Sequence, residues 1–217
     1  LYAPSQPVWV SRPGSMLTAP GGDQMDIVSW NATPSILPGE TYQVEAALNN
    51  PTIEELRAAG TEYPKWVTDK YLQLPENFSQ PIRSLALEIT ANAETPYAQA
   101  FAITQYLRTN IKYSPTIPTA PRGTDRLEWI LFEHKQAYCV YYASAEILML
   151  RTLGIPARMA VGFSQGTGTT PGEGFAGEVE EIEVNTFTVR KENAHAWPEV
   201  YFPGVGWVEF EPTGNQA

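Results

Sequence analysis

The sequence predicts an α+β fold, and two observations carry that prediction. Between about residues 52 and 153, apolar residues recur at three- and four-residue spacing, which is typical of helices that bury one face. After Pro156 the spacing changes to an alternation of apolar and polar residues, which is typical of β-strands. Helices followed by a run of strands indicate an α+β fold rather than an alternating α/β fold.

The helical part contains five segments. Thr52 and Glu55 match a capping box, so a helix is predicted to begin there. The other four segments combine helical spacing with good helix formers, and they span residues 81–93, 95–113, 125–135 and 139–153. The last segment is apolar almost throughout and stops at Gly154 and Pro156, so we expect it to be a buried helix with Cys139 in its first turn.

The strand part predicts an antiparallel sheet. Its alternating segments span residues 157–165, 181–190, 195–202 and 206–211. The glycine-rich segment 166–177 between the first two strands is predicted to be a loop. We expect Trp197 and Trp207 to pack the sheet against the helix that begins at Cys139.

An acidic run lies at the start of the second predicted strand. Calcium binds carboxylates, but alternating glutamates on a strand favour a solvated face. No metal site is therefore predicted there. The run consists of Glu178, Glu180, Glu181 and Glu183.

Composition limits the partners. The 217 residues include 24 acidic and 14 basic ones, giving a net charge of −10. Because this charge has the wrong sign for phosphate and no cluster of Lys and Arg offsets it, no nucleic-acid partner is expected. Residues 1–50, rich in Pro, Gly, Ser and Thr, are interpreted as a β-rich segment that ends a preceding module, and residues 51–217 as the main domain.

Cys139 is the sequence's one cysteine, which excludes an internal disulfide and zinc motifs built on paired cysteines. A lone cysteine is often a small buried hydrophobic residue. At the start of a helix, however, unpaired amides and the helix dipole favour the thiolate, which is the nucleophilic form. The predicted position of Cys139 therefore favours a nucleophile.

A cysteine nucleophile needs an imidazole and a group that orients it. Of the two histidines, His134 ends a predicted helix, where a surface or capping role is expected. His195 begins a predicted strand and shares a face with Trp197. On the next strand Glu209 and Glu211 could both reach the imidazole across an antiparallel pair, and spacing alone does not choose between them.

Three ordered segments resemble the transglutaminase-like superfamily. They are residues 138–145 (YCVYYASA), 150–163 (LRTLGIPARMAVGF) and 194–207 (AHAWPEVYFPGVGW), followed by 210–213 (FEPT). The sequence is most similar to the bacterial branch whose domain lies outside the cytoplasmic membrane. The resemblance implies a papain-like cysteine proteinase fold, with the nucleophile helix packed on an antiparallel sheet, and a catalytic domain over residues 51–217. It also implies a periplasmic or cell-surface location, with membrane attachment only through segments outside this sequence.

The resemblance further implies the roles of individual residues. Cys139 corresponds to the nucleophile, His195 to the base and acid, and Glu211 to the third member, where the family commonly has Asp. The implied activity is cysteine-dependent acyl transfer on protein or peptide carboxamides through a thioester, as a transglutaminase, deamidase or peptidase, without a cofactor. Residues expected to form the oxyanion site or substrate groove are Trp129, Gln136, Tyr138 and Trp197.

Glutamate at position 211 leaves a second interpretation open. In this alternative the chain is an inactive transglutaminase-like module that binds peptide or cell wall for a membrane protein.

Overall fold

The computed structural model describes residues 1–3, 7–19, 26–169 and 186–214. The α-helices are α1 (Ile53–Ala58), α2 (Lys65–Tyr71), α3 (Gln80–Ile89), α4 (Pro96–Asn110), α5 (Arg126–Trp129) and α6 (Cys139–Thr152). The strands are β1 (Pro7–Val10), β2 (Gly14–Ala19), β3 (Asp26–Ala32), β4 (Val44–Ala46), β5 (Lys112–Tyr113), β6 (Gln136–Ala137), β7 (Ala157–Phe163), β8 (Thr167–Thr169), β9 (Thr186–Thr188), β10 (Ala194–Phe202) and β11 (Gly206–Glu209).

The central sheet has three antiparallel strands in the order β11-β10-β7. Three further antiparallel pairs, β1-β4, β2-β3 and β8-β9, and the short parallel pair β5-β6 lie outside it. Helices α1 to α6 precede the central sheet in sequence, so the predicted α+β class is confirmed.

Helix α6 lies at the centre of the molecule, between the sheet and helices α3 and α4. Its Met149 and Leu150 are fully buried, as are Ile103 of α4 and Val200 and Phe202 of β10. Burial of such side chains contributes about 2 kcal/mol each. The packing fixes the direction of α6, so its first residue lies beside the start of β10.

The opposite face of the sheet packs on α2, where Val67 is fully buried. The expectation that Trp207 packs against α6 is wrong, because its ring contacts Tyr71 and Tyr201 at centroid distances of 4.7 and 5.2 Å. Trp207 is paired with Tyr201 across the sheet, whereas Val200 points to α6. Alternation along the strand therefore turns Trp207 to the other side.

An ion cluster on this second face joins β3 to the sheet. Arg158 of β7 contacts Glu199 of β10, Nε to Oε2, at 2.5 Å and is also paired with Asp26 of β3. The Tyr71 hydroxyl donates a hydrogen bond to Asp26, and the guanidinium lies 4.2 Å from the centre of the Trp207 ring. Asp26 and Glu199 are only 7% and 6% exposed.

Three predicted helices differ in their boundaries. The helix predicted over residues 81–93 spans Gln80–Ile89. The helix predicted over residues 95–113 ends at Asn110, because Ile111 is extended and the Lys112 amide donates to the Lys135 carbonyl at 2.9 Å, which begins β5. The segment 125–135 is α5 followed by a π-helical turn, Ile130–His134. This wide turn is closed by the Lys135 amide, which donates to the Ile130 carbonyl at 2.9 Å.

Short elements account for the remaining differences. Helix α2 was not predicted, and β8 occupies residues 167–169 of the segment predicted to be a loop. Residues 170–185, which include the acidic run, lie outside the described ranges. In those ranges, no helix has both the length and the apolar character required to cross a membrane.

Replacing Thr52 by alanine is expected to lower the free energy of unfolding by about 1 kcal/mol. The Thr52 hydroxyl accepts a hydrogen bond from the Glu55 amide at 3.2 Å, and Glu55 accepts one from the Thr52 amide at 2.7 Å. Chemical denaturation measures the effect. The control is Thr119→Ala, in an exposed loop, and an equal effect of the two substitutions would contradict the role of the cap.

Candidate active site

Cys139 is the first residue of α6 and is partly exposed. The parallel pair β5-β6 brings the chain to this point, since Tyr113 is opposite Ala137, two residues before the cysteine. Tyr138 precedes the helix in an extended conformation, and its side chain makes no capping bond within the described part of the chain. The first amides of α6 therefore point toward the thiol and the space in front of it.

The environment of Cys139 favours its thiolate. Burial opposes ionisation, but hydrogen bonds with the His195 imidazole and from the backbone amides of Ala196 and Val140 outweigh it. The pKa of the Cys139 thiol is consequently lowered from its ordinary value. A lowered thiol pKa is what a nucleophile needs near neutral pH.

His195, at the second position of β10, contacts both Cys139 and Glu211. Its Nε2 lies 2.5 Å from Glu211 Oε2, which leaves Nδ1 for the thiol. The side chain is 7% exposed. The hydrogen bond to Cys139, followed by the one to Glu211, raises the pKa of His195 to about 9 against the effect of burial. The lowered pKa of Cys139 and the raised pKa of His195 both favour the thiolate–imidazolium form of the pair.

Glu211 lies two residues beyond β11 and is held from both sides. The Thr213 amide donates to Glu211 Oε1 at 2.8 Å, and Arg108 Nη1 donates to its backbone carbonyl at 2.9 Å. Burial raises the pKa of Glu211. Hydrogen bonds from His195 and Thr213 lower it by more, so the pKa lies below its ordinary value. The extra methylene relative to Asp thus does not prevent contact with the imidazole.

Glu209, the other carboxylate that spacing left open, lies on β11 opposite Glu199. Burial, with the charge of Glu199 as a smaller cause, raises the pKa of Glu209. The structure therefore brings Glu211, rather than Glu209, to the imidazole.

Two of the predicted groove residues flank Cys139 and His195. The Trp197 ring stacks on His195 with centroids 5.9 Å apart. Gly162, on the neighbouring strand, makes room for this ring, since a Cβ there would lie 3.1 Å from Trp197. Tyr138 contacts the Tyr141 ring edge to face at 4.9 Å. A role of Trp197 and Tyr138 in substrate binding stays a prediction.

The other two groove residues have different surroundings. Trp129 stacks on His134 with ring centroids 4.3 Å apart. Gln136, in β6, lines a surface groove of about 470 Å³ together with His134 and the basic residues Arg108, Lys112 and Lys135. An oxyanion role for Trp129 or Gln136 stays a prediction.

Tyr113 lies near Cys139, and sequence reasoning did not identify it as a neighbour of the site. It lies at the end of β5, where burial and the nearby charge of Cys139 raise the pKa of its phenol. The sequence gives no signal for this position, since Tyr113 ended a predicted helix and a two-residue parallel pair has no recognisable pattern. Where placement is described, no group of three or more His, Cys, Asp or Glu is arranged to hold a metal ion.

Taken together, this arrangement can attack an electrophilic carbon and move a proton. The Cys139 thiolate supplies the nucleophile, His195 carries a proton beside it, and Glu211 holds the imidazole by Nε2. Helix α6 supplies amide dipoles at the same point. A cysteine-dependent acyl-transfer reaction requires groups of these three kinds.

Comparison with known proteins shows the family. Residues 83–212 match the model of the transglutaminase-like superfamily, to which this chain belongs. The papain-like fold expected for that superfamily is accordingly the fold of this chain.

Two curated relatives match about two thirds of the chain. The uncharacterized protein YebA of Bacillus subtilis is 36% identical over 148 residues, covering 67% of this chain and 19% of that protein. A protein-glutamine gamma-glutamyltransferase of Pseudomonas aeruginosa is 30% identical over 146 residues, covering 67% of this chain and 20% of that protein. The chain thus spans about a fifth of the length of these relatives.

Among solved structures, the periplasmic domain of TgpA from Pseudomonas aeruginosa is similar, with a TM-score of 0.54 and 27% identity. The match covers 70% of this chain and 48% of that one.

Proposed function

We propose that this chain is a cysteine-dependent acyltransferase domain that acts on carboxamides of proteins or peptides through a thioester. The observation that carries the proposal is the contact of Cys139 with His195 and of His195 with Glu211 at the start of a buried helix. The raised pKa of His195, about 9, keeps a proton available for a leaving group near neutral pH.

In the proposed first step, the Cys139 thiolate attacks the carbonyl carbon of the amide and forms a C–S bond. The oxyanion that develops is stabilised by the Cys139 amide and by a side-chain donor, each worth about 3 kcal/mol. In addition to Trp129 and Gln136, we propose Tyr113 as a candidate for that donor, since it is paired with Ala137, two residues before Cys139.

The tetrahedral intermediate then loses its nitrogen. The C–N bond breaks, His195 gives its proton to the departing ammonia or amine, and a thioester on Cys139 remains. In the second step, neutral His195 takes a proton from an incoming amine or water, which attacks the thioester carbon. The C–S bond breaks, and the thiolate and imidazolium are restored. Glu211 holds the imidazole throughout and stabilises its charged form.

The acyl donor is proposed to be a glutamine carboxamide. The Pseudomonas relative is named a protein-glutamine gamma-glutamyltransferase, which supports this choice. The similar TgpA domain is described as periplasmic, so we propose that this chain also works outside the cytoplasm.

Three products distinguish the possible outcomes of the second step. The chain is incubated with a glutamine-containing protein and a biotinylated primary amine, and the products are analysed by mass spectrometry. Amine incorporation indicates a transglutaminase, conversion of glutamine to glutamate a deamidase, and chain cleavage a peptidase.

We expect amine incorporation, with glutamate formed when the amine is omitted. A matched peptide with glutamate in place of glutamine is the control and should take up no amine. Absence of all three products and of any acyl adduct on Cys139 would contradict the proposal and favour the inactive binding module.

A further inference from the structure

Glu146 is a carboxyl group sealed inside the helical half of the molecule. Its side chain is 0% exposed, and it follows Cys139 by seven residues on α6. Seven residues are close to two helical turns, so Glu146 lies below the thiol on the same side of the helix. Buried carboxylates are normally paired with a cation or bonded through both oxygens. Glu146 Oε2 has no hydrogen-bond partner among the residues that the structure describes.

The other oxygen, Glu146 Oε1, contacts the Thr104 hydroxyl. That hydroxyl has too few protons to donate to both of its partners. Thr104 Oγ1 lies 2.7 Å from Glu146 Oε1 and 3.0 Å from the Ala100 carbonyl oxygen. A hydroxyl has one proton, whereas a carbonyl and an ionised carboxylate can only accept. If Glu146 were charged, one of the two contacts of Thr104 Oγ1 would therefore bring two oxygens together without a proton between them. A protonated Glu146 removes the conflict, because it donates to Thr104 while Thr104 donates to Ala100.

Among the residues that the structure describes, no ion pair joins Glu146 to a cation. Arg108 donates to the Glu211 carbonyl, Arg151 to the Ala157 and Gln73 carbonyls, and Arg158 is paired in the ion cluster on the far face. Titratable and charged groups on α6, on the elements packed against it and on the segment after β11 include Arg83, Glu88, Tyr97, Tyr106, Arg108, Tyr113, Cys139, Tyr141, Tyr142, Arg151, Arg158, His195, Glu199, Tyr201 and Glu211.

We propose that Glu146 is a positioning residue that works as a neutral carboxylic acid. Its proton forms the hydrogen bond that joins α6 to Thr104 of α4. Because Glu146 is neutral, it adds no second negative charge near Glu211. The effect on Cys139, His195 and Glu211 rests on the proposed function, whereas the protonation of Glu146 does not. Burial, and secondarily the charge of Glu211, raise the pKa of Glu146 to about 8 despite the Thr104 hydrogen bond, in agreement with the proton count.

The protonation of Glu146 makes the stability of the folded chain decrease as the pH rises. The pKa of Glu146 is about 8 in the folded chain and 4.5 for an ordinary glutamate. Between these values the folded chain holds a proton that the unfolded chain has lost, so stability falls as the pH rises through this window. Glu146→Gln stays neutral and can still donate to Thr104, so it should remove this part of the pH dependence.

Infrared difference spectroscopy at neutral pH tests the proton directly. Ordinary carboxyl groups are ionised at this pH, so a carbonyl band of a protonated carboxylic acid identifies an unusual group. We expect the band in the wild type and in Glu88→Gln, an exposed change on α3, and its loss in Glu146→Gln. A wild type without the band, or a Glu146→Gln variant that keeps it, would overturn the proposal. The wild-type band should also disappear as the pH rises through about 8, which tests the proposal even if the variant does not fold.

Thermal unfolding and thiol reactivity test the positioning role. From about pH 5 to 9, the wild-type midpoint should fall more steeply with pH than that of Glu146→Gln. Glu146→Ala should lower the midpoint throughout. The alkylation rate of Cys139 at pH 6 should stay within about twofold in Glu146→Gln and fall in Glu146→Ala. Equal slopes, or loss of the reactive thiol in the glutamine variant, would overturn the positioning role. A wild type with the band but no acyl transfer would instead overturn the proposed function alone.

Discussion

Replacing Cys139 by alanine should reduce acyl transfer to background, and replacing His195 by alanine should lower the turnover number by roughly four to six orders of magnitude. The reason is that Cys139 forms the covalent bond and His195 carries the proton for both steps. Amine incorporation, followed by mass spectrometry, measures both losses. Turnover that survives Cys139→Ala would contradict a cysteine mechanism.

The same variants predict a change in the chemistry of the thiol that needs no substrate. In the wild type, iodoacetamide should alkylate Cys139 rapidly below pH 7. In His195→Ala the thiol should return toward an ordinary pKa of about 8.5, which lowers the rate at pH 6 by about a hundredfold. The chain's other imidazole provides the control, since His134→Ala should leave the profile unchanged. Equal profiles for wild type and His195→Ala would argue against the Cys–His pair.

The pH dependence of turnover follows from the pKa shifts of Cys139 and His195. Because the pKa of Cys139 is lowered, activity should persist below neutral pH until the thiolate takes up a proton. Because the pKa of His195 is raised to about 9, activity should fall as the pH rises through that value and the imidazolium loses its proton. Glu211→Gln removes the carboxylate charge and should move the alkaline limit to lower pH.

Replacing Arg158 by methionine should lower the free energy of unfolding by about 3–5 kcal/mol. Methionine keeps the apolar stem of the side chain but removes the charge between Asp26 and Glu199, which are both buried. The loss arises because two carboxylates then remain buried without a cation. Urea denaturation at neutral pH measures the difference.

A surface ion pair provides the matched control for this prediction. Lys65 and Asp69 are in contact at 2.6 Å, but their side chains are 86% and 56% exposed. Lys65→Met should therefore cost less than about 1 kcal/mol. A loss in Arg158→Met that is no larger than the loss in Lys65→Met would show that the ion cluster contributes little.

Local patterns in the sequence account for the parts of the fold that were predicted. The apolar run from Cys139, its end at Gly154, and the switch to alternation after Pro156 are signals within a few residues of the chain. They predicted α6 to within one residue and placed His195 and Trp197 on the same face of β10. Family resemblance supplied the expected partner of His195, because spacing did not separate Glu209 from Glu211.

Contacts between distant segments account for what was missed. Asp26 and Arg158 are 132 residues apart, and no periodicity relates them. Tyr113 lies near Cys139 only because β5 pairs with β6 over two residues. The orientation of Trp207 depends on the register of β10 against β11. The proposed protonation of Glu146 depends on its contact with Thr104. Such features depend on how elements pack, which a single sequence does not encode locally.

The cysteine at the start of α6 also exposes the chain to oxidation. A partly accessible thiol with a lowered pKa is the form that peroxide converts to sulfenic acid. Since the 217 residues contain no second cysteine, no thiol of the same chain can reduce that product by forming a disulfide. Recovery of the nucleophile must then come from a thiol outside these 217 residues. The chain therefore depends on the reducing power of its surroundings to keep its one nucleophile intact.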